Sequence, residues 1–279
     1  MTDQNISTSP QDALAGLRKW TLERDDESDP GGRIYRDSDG NCYHSITRVL
    51  GATAPAEQKA RLEKWLERPT AIQERDQAAT RGSQAHSHAE YVLKTGAKLA
   101  RQTANKKGVW KTHSDGLERC PASITRWAIQ KAVQGAPRVS WNASGYARGL
   151  RSFIEERVTA IHSIEFSVHH PGGFAGTCDF LGDIDGRLTV VDWKTSQNAK
   201  ISEELGDSRI SGYICQTGAY SLGLRHLTGI QAEAGAVVIA RRSGAPEVRM
   251  LNKWELRGAE QEFLDRLARY YEELEIPSR

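Results

Sequence analysis

The sequence contains no hydrophobic run approaching the roughly 18 residues that a membrane-spanning helix needs. Its start, MTDQNISTSPQDALAGLRKW, lacks the apolar stretch of a secretory signal, and Asp3 and Asp12 argue against an acid-poor transit peptide. The start therefore reads as a flexible tail, and the chain as a cytoplasmic protein. Cysteine is scarce: Cys42, Cys120, Cys178 and Cys215 share no C-x-x-C spacing, so spacing offers no zinc or iron–sulfur signal, and buried free thiols are expected. No internal repeat is visible. What remains is a polar-surfaced globular chain of 279 residues, 38% hydrophobic and 27% charged, with a mean hydropathy of −0.59. That length suits one large domain or two small ones.

A strong overall charge is also missing, since 38 Lys and Arg face 36 Asp and Glu for a net charge of +2. The balance hides an asymmetry. Between residues 91 and 160, thirteen basic residues stand against four acidic ones, which suggests either a polyanion partner or a solvated helical face.

The pattern along the chain divides it. Residues 1–30 read as a tail. Residues 31–160 read as a helical lobe, opened by a short extended run, an Asp39-Gly40 turn and a helix capped by Ser45. PAEQKARLEKWLER places Leu62, Trp65 and Leu66 on one stripe, and a further helix runs from about Ala71 to Leu93, ending near Gly96. Residues 97–137 are basic and broken by Gly108, Gly116 and Gly135, although SITRWAIQKAVQ reads as a helix. Residues 161–279 read as an α/β core. Strands around AIHSIEFSVHH, GFAGTCDFLGDI and RLTVVDWKT are separated by Pro171-Gly172-Gly173 and by Asp185-Gly186, and helices and strands alternate after them.

The chemistry concentrates in GTCDFLGDIDGRLTVVDWKTS, residues 176–196. Strand alternation puts Leu188, Val190, Asp192 and Lys194 on one face of the second strand, with Thr189, Val191 and Trp193 on the other. The turn near Asp183 and Asp185, both read as turn formers, folds Asp179 back beside Asp192. Charges inside a sheet cost several kcal/mol, on the order of what a partner or metal must offset. Two carboxylates that hold Mg2+ or Mn2+, with an ammonium beside them, suit phosphodiester hydrolysis. The lysine would orient or deprotonate a water and offset the charge developing on phosphate.

These residues resemble the PD-(D/E)xK nuclease superfamily in its RecB-like exonuclease branch. RGSQAHSHAE supplies Gly82, His86 and Glu90 in the G-x-x-x-H-x-x-x-E spacing of that branch, and QTGAY supplies Gln216 and Tyr220 as its Q-x-x-x-Y. Upstream, YHSITRVLGATAPAEQKARLEKWLER is similar to the pattern of the mitochondrial genome maintenance exonucleases and their phage and bacterial relatives. The resemblance covers roughly residues 40–93 and 160–225. It implies a restriction-endonuclease-like mixed sheet flanked by helices, with an N-terminal helical lobe. It also implies a metal-dependent DNA exonuclease, encoded by a bacterium or a phage and concerned with DNA repair or recombination.

Carried over by position, His86, Asp179, Asp192 and the Trp193 carbonyl would bind Mg2+ or Mn2+, Lys194 would be the catalytic lysine, and Gln216 and Tyr220 would support the site. Asp192 stands where many relatives have Glu, and the iron–sulfur cysteine cluster of some relatives is missing. Glu165 is a candidate auxiliary acid, Glu90 an orienting group for the imidazole, and Arg81 a phosphate ligand. Lys106, Lys107 and Lys111 are candidate DNA-backbone contacts. Trp110, Trp127 and Trp141 are read as core residues or as base-stacking aromatics. The expected substrate is single-stranded DNA ends. A duplex-end resecting exonuclease and a catalytically idle DNA-binding module are the alternatives, and the oligomeric state is left open.

Overall fold

The computed structural model describes residues 9–17, 22–26, 32–197 and 208–273. In chain order the elements are α1 (Pro10–Leu17), β1 (Glu23–Asp25), β2 (Ile34–Arg36), β3 (Cys42–Ser45), α2 (Ile46–Ala52), α3 (Ala56–Leu66), α4 (Ala71–Lys107), β4 (Lys111–Thr112), β5 (Glu118–Arg119), α5 (Ala122–Gln134) and α6 (Trp141–Arg157). They continue as β6 (Val158–His170), β7 (Phe174–Ile184), β8 (Arg187–Thr195), α7 (Ser208–Thr228), β9 (Ala234–Ala240), β10 (Glu247–Leu251) and α8 (Lys253–Glu273).

The main sheet runs β1-β2-β3-β7-β8-β9-β10, with β6 on the other side of β7. β3 is parallel to β7 and β8 is parallel to β9, while β6, β7 and β8 form an antiparallel meander. This is the expected mixed sheet. The β7–β8 turn is tight because Asp185 and Gly186 both adopt positive φ, 51° and 80°, as a type I′ hairpin requires. At the β6–β7 turn only glycine fits. Gly173 has φ +87°, and a Cβ there would lie 2.1 Å from the Tyr271 hydroxyl of α8.

Both faces of the sheet are covered, which explains the apolar character of β8 and β9 on either side. Leu188 and Val190 pack with α7 and α8 residues such as Cys215, Ala219 and Phe263. Val191, Trp193, Ala236 and Val238 pack on the other face with α4, α5 and α6 through Ala85, Ile129, Tyr146 and Phe153.

The structure differs from expectation in several places. Part of the supposed tail is α1, whose Leu14 and Leu17 are buried in the core, while residues 1–8, 18–21 and 27–31 lie outside the described residues. β2 and β3 join the core sheet rather than the helical lobe, because β3 pairs with β7 at His44 and Ser45. α4 does not stop at Gly96. That glycine admits Ile129 of α5, whose Cγ1 lies 3.3 Å from where a Cβ would stand, and the helix runs on to a left-handed cap at Gly108. Asp183 is not a turn residue. It lies buried on β7, paired with Arg119 of β5 and with His162 of β6 (3.0 Å), so it ties the basic segment to the sheet. No helix among the described residues is long and apolar enough to cross a membrane.

Candidate active site

The site forms where the sheet splits. β3 pairs with β7 only at Phe174 and Ala175, and β8 pairs with β7 only from Phe180 onward. Between these points β7 has β6 on one side and, among the described residues, no ladder partner on the other. Beyond Val191, β8 leaves β7 yet stays with β9 through Thr195. Asp179 and Asp192 are the next residues of the interrupted register, so the cleft opens at the two carboxylates.

Two features hold the split. Asp179 Oδ2 accepts a hydrogen bond of 2.6 Å from the Trp193 backbone N–H, replacing a lost ladder bond with a charge-assisted one. On the lobe side the Trp193 indole is buried, stacked on Phe180 at 6.0 Å and edge-on to Phe153 at 5.6 Å. Trp193 thus fixes the end of β8 on one face while Asp192 and Lys194 project from the other. Lys194 Nζ lies 2.6 Å from Asp192 Oδ2 and 5.0 Å from the centre of the Tyr213 ring. The buried Oδ2 of Asp192 thus faces the Lys194 ammonium, which offsets part of the cost of burying its charge.

α4 brings the histidine. Gly82 lets the helix lie against the end of β8, since a Cβ there would sit 3.1 Å from Thr195 Oγ1. One turn later His86 Nδ1 is 3.4 Å from Asp179 Oδ1. The spacing of Gly82 and His86 therefore has a packing reason as well as a chemical one.

Ligand-capable atoms of His86, Asp179 and Glu165 all lie within 4.8 Å of one another. Glu165 comes from β6 and adopts φ +48°, a left-handed conformation uncommon for a residue other than glycine. Asp192 stands beside this trio rather than within it, turned onto Lys194. Gln216 and Tyr220 sit on the α7 side, where Gln216 Nε2 donates to the Tyr220 hydroxyl at 2.6 Å and both are buried.

The electrostatics show an excess of negative charge. Burial lifts the Asp192 carboxyl to about 6, with the Asp179 charge adding to it against the opposing Lys194. Partial burial and the Asp179 charge lift Glu165 to about 7. Burial opposes the charge on Lys194, but Asp192 and Asp179 outweigh it and raise its pKa, so the amine is held as ammonium. Burial and then the Asp179 hydrogen bond and charge act on His86 in opposite directions, and the net shift is upward. Burial, with the Asp192 and Asp179 charges, pushes the Tyr220 phenol well above its usual range. Carboxylates crowded together, one of them fully buried, and one imidazole form a donor set that fits a hard divalent cation.

The remaining expected residues divide. Glu90 pairs with Lys94 one turn farther along α4 instead of orienting His86. Arg81 borders two adjoining cavities that also share Gln77. One, of about 510 Å³, is lined by Trp65, Arg75, Tyr146, Thr195 and Ser196 beside the end of β8. Lys106 and Lys107 lie some 20 residues beyond His86 on α4, about 30 Å at 1.5 Å per residue, and Lys111 follows on β4. These lysines are not part of the cluster. Trp110 donates to Asn105 Oδ1 at 2.5 Å and packs with Ala100 and Ala104, whereas Trp141 is 84% exposed. Sequence reasoning missed the lining role of Trp65, Tyr146 and Thr195. Only Trp65, in the apolar stripe with Leu62 and Leu66, offered a signal.

Fold and site together define a nuclease architecture: a split mixed sheet that presents paired carboxylates, a lysine and a helix-borne histidine. The profile of the PD-(D/E)XK nuclease superfamily matches residues 19–278, and the chain belongs to that superfamily. It is similar to mitochondrial genome maintenance exonuclease 1 of Mus musculus, 24% identical over 217 residues covering 74% of this chain and 52% of the relative. The Homo sapiens counterpart is 23% identical over 244 residues, covering 85% and 60%. The chain thus spans little more than half the length of these curated relatives. Both are vertebrate proteins, so they lend no support to the expected bacterial or phage source. A solved candidate exonuclease from Eubacterium rectale is 14% identical with a TM-score of 0.34, covering 71% of this chain and 70% of that one.

Proposed function

We propose that the chain is a metal-dependent DNA exonuclease that hydrolyses phosphodiester bonds from single-stranded ends. The observation that carries this reading is the convergence of Asp179, Asp192, Lys194 and His86 at the split between β7 and β8. His86, Glu165, Asp179, Asp192 and the Trp193 carbonyl would hold Mg2+ or Mn2+, which when bound supplies Lewis-acid polarisation and a more acidic water.

The chain's own groups do the rest. The raised pKa of Lys194 favours a standing positive charge over a base, so the ammonium offsets the charge that develops on phosphate and orients the attacking water. The Gln216–Tyr220 pair keeps a neutral phenol against the carboxylates from the α7 side. The Asp179 bond to the Trp193 N–H fixes one carboxylate oxygen and leaves the other toward His86.

Single-strand preference is supported by the cavity beside β8. Trp65 offers a face for an unpaired base, and Arg75 and Arg81 offer cations for the backbone. Lys106, Lys107 and Lys111 would touch only a strand extending about 30 Å along α4.

The test is cleavage of end-labelled single-stranded and duplex DNA with Mg2+, Mn2+ or EDTA. The reading expects metal-dependent loss of label from the single strand first. Faster attack on the blunt duplex would replace it with the end-resecting alternative. Binding without cleavage in either metal would leave a catalytically idle DNA-binding module.

A further inference from the structure

Beyond the cavity at the end of β8 lies a second one, of about 670 Å³, between α4 and the start of α6. Its walls include Pro69, Ile72, Gln73, Thr80 and Asn142, and it meets the first cavity at Gln77 and Arg81. Three features set it apart from ordinary surface. Ile72, in the lining, is 61% exposed, and Trp141, between the lining residues Ser140 and Asn142, is 84% exposed. The Trp141 end of α6 is pinned to α4: the Ser140 hydroxyl and backbone N–H both donate to Gln84 Oε1, at 2.5 and 3.2 Å. Arg81, at the junction, forms no ion pair with any carboxylate among the described residues.

We propose that this cavity, with Trp141 at its rim, is a base-binding subsite for the stretch of single-stranded DNA adjoining the nucleotides at the carboxylate cluster. The inference rests on the nuclease reading above and adds the path of the strand. A strand whose phosphate is held at Arg81 has room for bases on either side of that arginine. On the β8 side they meet Trp65, and on the α6 side they meet Ile72, with the exposed Trp141 standing between the lining residues Ser140 and Asn142. The amides of Gln73 and Asn142 and the hydroxyl of Thr80 suit base edges. Asp76, the one carboxylate in the lining, lies 3.2 Å from Arg75 and disfavours a phosphate inside the cavity, which leaves the bases as its occupants. A duplex has no bases to offer such a surface, whereas aromatic stacking takes any unpaired base.

The experiment measures binding by fluorescence anisotropy in Mg2+, in an Asp192→Asn background that keeps the strand intact. Labelled single strands of equal length are used, one with bases throughout and one abasic. Trp141→Ala is expected to weaken the base-bearing strand about tenfold, within the range of stacking on one aromatic, and the abasic strand by less than about twofold. Trp141→Phe should recover most of the loss. Affinity within twofold of the parent on both strands overturns the proposal, and so does an equal loss on both. Wild-type cleavage in Mg2+ and Mn2+ is read separately. Its absence would refute the nuclease reading, while the two binding ratios would still decide the subsite.

Discussion

Asp192→Asn should reverse its effect on stability when metal is added. In chelator, Asp192 is buried, 1% exposed, and its carboxyl is raised from 3.8 to about 6. A carboxyl with a raised folded-state pKa binds more protons folded than unfolded between those values. Its stabilising effect is therefore full below about 4 and is lost as pH rises through about 6. At 1.36 kcal/mol per unit, the charged form costs about 3 kcal/mol at pH 7.5. Asparagine removes that cost. The 2.6 Å contact with Lys194 is already contained in that value, but the asparagine amide must itself be buried beside the ammonium, so part of the gain is cancelled. A net rise of about 1–2 kcal/mol, or roughly 2–6 °C in Tm for a chain of this size, is expected in EDTA. With Mn2+ at about 100 times its Kd, the wild type should gain about 2.7 kcal/mol and the variant much less, so the order inverts. Thermal melts of both proteins at pH 5 and 7.5, with EDTA and with Mn2+, read the effect. A variant less stable than the wild type in EDTA at pH 7.5 would show that Asp192 and Lys194 form a structural pair, and the cation argument would fail.

Lys194→Ala should lower the cleavage rate by at least about 10²-fold, as expected for an electrostatic or proton-transfer group, while Mn2+ affinity by calorimetry survives. Loss of both together would make Lys194 a structural support of the site. Asp183, 6% exposed at its side chain and held down to about 2 by its hydrogen bonds to His162 and Arg119 against the opposing effect of burial, should cost about 3–5 kcal/mol in urea unfolding when changed to Ala, because Arg119 is left buried with less countercharge. A cost under about 1 kcal/mol would mean that Asp115 alone satisfies Arg119. His170 is depressed to about 4, by burial first and then by the His226 and Arg225 charges, and its Nδ1 accepts the Gly172 N–H at 3.1 Å. Stability should therefore fall as pH drops from about 6.5 toward 4, and His170→Asn, which keeps an acceptor there, should flatten that part of the pH curve. An unchanged slope would assign the acid sensitivity to other groups.

Much of the core was legible because its signals are local. Asp185-Gly186 dictates its own turn, the apolar faces of β8 announce a covered strand, and the Gly82 to His86 spacing fits one turn of helix lying on Thr195. What failed to show depends on distant partners. Gly96 reads as a helix end until Ile129 of α5 fills the space its missing side chain leaves. The short strand β3 gains its place in the sheet by pairing with β7, some 130 residues away. Asp183 looks like one more turn residue until Arg119 arrives from a different hairpin. Glu165 reads from the sequence as an auxiliary acid without a motif, and its +48° φ and its approach to His86 and Asp179 are visible only in the fold. Exposure itself is a tertiary property, so nothing local told the buried Trp193 from the exposed Trp141.

The most direct measurement compares linear and covalently closed circular single-stranded DNA of one sequence, incubated with wild-type protein and with Asp192→Asn in Mn2+ and in EDTA. The account predicts that wild-type protein degrades the linear strand in Mn2+, leaves the circle intact and is silent in EDTA, and that the variant is silent throughout. Degradation of the circle at a comparable rate would show that no end is needed, and cleavage in EDTA or by the variant would remove the carboxylate cluster from the reaction.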